Sequence, residues 1–109
     1  MRTVAAAWQT VAVDWSRVTF TEHVTEAAVL VAECHVVLDF PPVERAAYEI
    51  KVFESLKGDG GRYFAVGTNR DEPGAFRPVA SAGTPEEALE GCLANAGIHH
   101  RRLVKQATV

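Results

Sequence analysis

The sequence predicts an α+β domain: a mainly antiparallel sheet of about five or six strands, with one long helix near the C-terminus packed on a face. Three observations point there. Apolar and polar residues alternate with period two from Thr10 to Phe20 and again from Tyr48 to Thr68. Glycine and proline clusters, Lys57–Gly61 and Glu72–Gly74, separate the later segments. The stretch from Thr84 opens with a capping box and continues as a helical apolar stripe. A chain of 109 residues is read as a single domain, 1–109, with N-terminal strands in 1–45 and a second unit in 46–109.

The elements follow in chain order. Val11, Val13 and Trp15 share one face of a strand over Thr10–Trp15, and Asp14–Arg17 suits a turn. Val18 and Phe20 alternate with Thr19 and Thr21 as a second strand. Residues 21–34 read two ways. As a helix, Val24, Ala27, Ala28 and Val31 form a stripe behind a Thr19–Glu22 capping box. As a strand, Cys34, Val36 and Leu38 share one face and His35 and Val37 the other; the β-branched density favours a strand over 28–40, stopped by Pro41–Pro42. Tyr48, Ile50 and Val52 then form the core face of a strand, the glycines of 58–61 close a hairpin, and Tyr63, Ala65 and Gly67 form the core face of its return. Val79–Ala82 is a short further strand. Thr84 caps the helix, Pro85 takes its first position, and Ala88, Leu89, Cys92, Leu93 and Ala96 make its apolar stripe. Gly97 is expected to stop or kink it.

Bulk properties exclude several classes. The net charge of −3 gives no support to general nucleic-acid affinity. Cys34 and Cys92 cannot build a disulfide framework, and apolar neighbours suggest reduced thiols. Val4–Trp8 is shorter than the core of a signal peptide, and Ala27–Ala32 is far short of a membrane span. A cytoplasmic protein without membrane contact is expected.

Tyr48–Val52, Gly58–Val66, Glu72-Pro73-Gly74 and Gly83-Thr84-Pro85-Glu86-Glu87-Ala88-Leu89 occur in an order that resembles the HicB-like antitoxin domain over residues 48–96. That resemblance implies a small sheet carrying one helix, a homodimer, a small toxin-like protein as partner, and no catalytic residues or cofactor. Glu72 stands where the family prefers leucine, and residues 1–45 have no counterpart. No helix-turn-helix or ribbon-helix-helix follows, so DNA binding is not carried over. The free strand edges of such a sheet also favour a homodimer.

The residues offer few chemical sites. Arg101, Arg102 and Lys105 form a basic helix end that matches the macrodipole and is the one candidate for nucleic-acid or partner contact. His35, His99, His100 and Cys92 are candidates for a small-molecule pocket between sheet and helix. A metal is not expected: His99 and His100 point about 100° apart on a helix, and Cys92 and His35 match no ligand spacing. Cys34 and His35, adjacent on a strand, face opposite sides and cannot work as nucleophile and base. The leading reading is a non-enzymatic interaction module. The alternatives are a nucleic-acid accessory factor and a small-molecule binder.

Overall fold

The computed structural model describes residues 13–58 and 61–107. Four strands, β1 (Ala27–Leu38), β2 (Ala46–Lys57), β3 (Tyr63–Asn69) and β4 (Val79–Ala82), form one antiparallel sheet in chain order. A single helix, α1 (Pro85–Ala107), lies on one face. The α+β class and the antiparallel sheet are as expected, but the described residues hold four strands rather than five or six.

The further strands expected on the N-terminal side are not among the described strands. The expected strand over Thr10–Trp15 lies partly outside the described residues. Its described end is the turn expected over Asp14–Arg17: Asp14 accepts hydrogen bonds from the Ser16 N–H at 3.1 Å and the Ser16 hydroxyl at 2.6 Å, and Trp15–Arg17 forms a 3-10 turn. A short acceptor beside its own backbone competes with sheet pairing, and here it prevails. Val18–Phe20 belongs to no strand among the described residues.

The ambiguous segment is a strand. β1 pairs with β2 so that Cys34, Val36 and Leu38 stand beside Ile50, Tyr48 and Ala46. Val31 is an extra residue between the pairs Leu30–Phe53 and Ala32–Val52, a bulge that bends the strand. Gly58 has φ 126°, which a side chain would strain, so the glycine reading of the β2–β3 connection holds there.

The core is the face of β2 and β3 under the helix. Tyr48, Ile50, Val52 and Ala65 meet Ala88 and Cys92, with Leu89 and Leu93 at the margin. The capping box is present: Thr84 Oγ1 accepts from the Glu87 N–H at 3.1 Å and donates to its carboxylate at 3.0 Å. Small residues set the separation. A Cβ on Gly91 would stand 2.8 Å from the Ala80 Cβ, so helix and β4 touch backbone to side chain.

Gly97 does not end the helix, which runs on to Ala107. Glycine disfavours a helix interior by only about 1 kcal/mol. Ring contacts beyond Gly97 outweigh that, because His100 is buried against Tyr48 and Phe40. The two helical glycines therefore respond oppositely to alanine. Gly97→Ala meets nothing nearer than the flexible Arg101 Nη1 at 3.9 Å and is expected to stabilise by roughly 0.5–1 kcal/mol. Gly91→Ala gains the same propensity but collides with Ala80, and a net loss of roughly 1 kcal/mol or more is expected. Urea midpoints of the two variants shifting in the same direction would contradict this account.

Candidate functional site

Two places combine chemistry-bearing or exposed apolar residues. The first is a ring cluster at the C-terminal half of α1. Tyr48, from the core face of β2, lies with its hydroxyl 2.8 Å from His100 Nε2. Phe40, from the β1–β2 connection, stacks on His100, while Phe76, from the β3–β4 connection, stacks on His99 with ring centres 4.2 Å apart. Burial raises the Tyr48 pKa, partly offset by a hydrogen bond with Asn69. Burial lowers the His100 pKa, and His99 adds to the effect. Both groups therefore stay neutral around pH 7 and satisfy each other. A cavity of 230 Å³ opens beside them, lined by Asn69, Glu72, Phe76, His99 and Leu103 among others. Ligand pockets usually measure about 300–1,000 Å³. This one is smaller, and its two buried polar groups are already paired.

The second place is the face of the sheet away from α1. Residues between the core positions must point there. The register aligns Leu30, Phe53, Phe64 and Ser81 in one row, and Glu33, Lys51, Val66 and Val79 in the next. Phe53 and Phe64 stack with ring centres 5.0 Å apart. Two open depressions meet at Val66. One of 620 Å³ includes Ala28, Ser55, Phe64 and Val79; the other, of 570 Å³, includes Lys51, Phe53, Thr68 and Arg77. Leu30 is 46% exposed and Val79 54%. Among the described residues, the one helix lies on the other face.

The residues singled out from the sequence are scattered. His100 is 4% exposed and lies within the core, rather than at the wet edge of the stripe. Cys92 is buried, donates its thiol hydrogen to the Pro78 carbonyl at 3.4 Å, and is pushed up to about 11 chiefly by burial. It carries no thiolate for nucleophilic work at neutral pH. His35 is on the opposite face of the sheet, 3.8 Å from the Glu49 carboxylate. Arg101 and Arg102 are exposed, as is Lys105. The Arg101 guanidinium lies over the Phe40 ring, 5.9 Å from its centre, and Arg102 borders a depression with Phe76 and Ile98. Among the described residues, no three His, Cys, Asp or Glu side chains are grouped as a metal site, and no helix is long and apolar enough to cross a membrane.

The open face was not singled out by sequence reasoning. Its signal was present: Phe53, Phe64 and Val66 occupy outward positions of strands whose other face is already apolar. No family model, curated protein or solved structure matches the chain.

Proposed function

We propose that the protein is a non-enzymatic, antitoxin-like interaction module that works as a homodimer and binds a small toxin-like protein. The observation that carries this reading is the apolar groove of Phe53, Phe64, Val66 and Val79 on the face opposite the helix. A sheet with apolar side chains on both faces has only one of them covered by the described helix. Lys51, Glu49 and Arg77 rim the groove. That arrangement suits a partner segment with apolar residues at its centre and mixed charges at its flanks.

The ring cluster supports a binding or catalytic role less well, because Tyr48 and His100 satisfy each other beside a small cavity. The basic helix end supports a nucleic-acid role less well, because its arginines lie beside aromatic rings in a chain of net charge −3.

Co-purification with the product of the neighbouring reading frame tests the proposal. The wild type is expected to form a stoichiometric complex, and Val66→Lys and Val79→Glu are expected to weaken it at least tenfold while keeping the wild-type circular dichroism spectrum. A complex that survives both substitutions removes the groove as the contact. A neighbour that does not bind removes the antitoxin-like reading.

A further inference from the structure

β1 is an edge strand whose usual protections are reduced to its irregularities, at Val31 and beside Ala27. It is 12 residues long and ends the sheet, with only β2 beside it among the described residues. Edge strands are normally blunted by shortness, proline, lysine, inward charge or bulges. β1 contains no proline, lysine or arginine, and Val31 and Val37 are 45% and 51% exposed. Its other side is incompletely covered as well. The helix is seated over β3 and β4 and reaches β2 more lightly, so Cys34, Val36 and Leu38 are only half-buried.

Charge selects what fits this edge. β1 has two titratable side chains besides Cys34: Glu33 and His35. Both point to the open face, where Glu33 stands beside Lys51 and His35 beside Glu49. Across β1 and β2, each of these carboxylates already faces a lysine or an imidazole rather than another acid.

We infer that two copies of the chain pair antiparallel through β1, on a two-fold axis at Cys34. This deepens the homodimer reading above and rests on it. Such an axis keeps each face continuous only if facing residues differ by an even number, so a register is named by the residue on its axis. On Cys34, Glu33 faces the partner's His35 and His35 faces the partner's Glu33. Each row then reads Lys51, Glu33, the partner's His35, the partner's Glu49, so that Glu33 stands between an ammonium and an imidazole and no two carboxylates are neighbours. Opposite charges on facing strands stabilise a pair and like charges destabilise it.

Other axes lose this match. An axis on Glu33 sets two carboxylates together. One on His35 pairs two imidazoles and leaves Glu33 facing the partner's Val37. An axis on Ala32 faces Glu33 with the partner's Val31. One on Val36 sets Glu33 against the partner's Asp39. An axis on Val37 brings His35 beside the partner's Asp39, but keeps only Val36–Leu38 paired within the strand. On Cys34 the uninterrupted ladder runs from Ala32 to Val36, between the Val31 bulges of the two copies. On the helix side it puts Ala32 against the partner's Val36, a small residue against a branched one.

Sedimentation and thiol crosslinking test the inference on the full chain. Sedimentation velocity at micromolar concentration is expected to give a dimer. Dibromobimane, which fluoresces only when it bridges two thiols, is expected to join Cys34 to the partner's Cys34. In a Cys34→Ser background, Ala32→Cys chains mixed with Val36→Cys chains are expected to bridge each other at least tenfold more than either bridges itself. Every substitution in this set is small, and the melting curves verify folding. A monomer up to the highest concentration overturns both this inference and the homodimer reading. A dimer that bridges at neither position overturns the Cys34 axis and leaves the homodimer standing.

Discussion

His100→Ala is expected to lower stability by about 2–4 kcal/mol, the combined effect of an emptied core position and an orphaned Tyr48 hydroxyl. That corresponds to a fall in Tm of roughly 10 °C or more for a domain of this size. The ring touches Phe40 and Tyr48 and sits beside His99, so its loss also loosens the helix beyond Gly97. Tyr48→Phe removes only the hydroxyl and is expected to lose about 1–2 kcal/mol. The double variant should lose less than the sum, since the 2.8 Å contact is counted in both single changes. Acid gives a second readout. Burial holds the His100 pKa below its usual 6.5, so the unfolded chain takes up this proton more readily than the folded one. The stability linked to His100 is full above pH 6.5 and declines as the pH falls from there toward the folded-state pKa. His100→Gln should lack that decline, so the difference between the wild-type and variant stability curves should show it. A His100→Ala chain melting within a degree or two of wild type would show that the cluster does not hold the helix end.

Gly67→Ala should be the second large loss, about 2–3 kcal/mol by urea denaturation. A Cβ there would stand 2.7 Å from Pro78 Cγ and 3.3 Å from its Cδ. The proline ring cannot swing aside, because its own carbonyl accepts from the Gly67 N–H at 2.8 Å and from the Cys92 thiol. Three elements meet at that point: β3, the segment entering β4, and the helix. Adding a methyl must separate them or distort the backbone, which is the overpacking penalty. Pro78→Ala in the same chain removes the obstructing ring, so the double variant should recover part of the loss. No recovery would place the strain elsewhere.

The parts of the fold that were legible in the sequence are those fixed locally. Tyr48, Ile50 and Val52 alternate with period two, Val79–Ala82 lies between turn signals, and Thr84 with Glu87 marks the helix start without help from distant residues. The parts that were not legible depend on partners far along the chain. Gly97 looks like a stop until Phe40 and Tyr48 arrive beside His100. Val18–Phe20 reads as a strand by alternation, yet none of the described strands includes it. Alanine and valine in 27–36 admit a helical stripe as well as a strand; the β-branched density favours the strand, and the register with β2 bears that out. The site was hidden for a related reason. Two apolar faces on one strand describe a buried sheet as well as an uncovered one, and the difference is whether a second layer exists.

The unequal length of the two sheet margins sets a limit on growth. Joining identical long margins consumes both at once, and what remains outermost is β4, four residues between Pro78 and the turn at Gly83. If β1 pairs with its copy as inferred, so short a template gives an arriving chain little to add to, and accretion would halt at two copies. A chain kept from finding its twin would retain a sticky 12-residue border, and its hazard would be fibre formation rather than loss of fold.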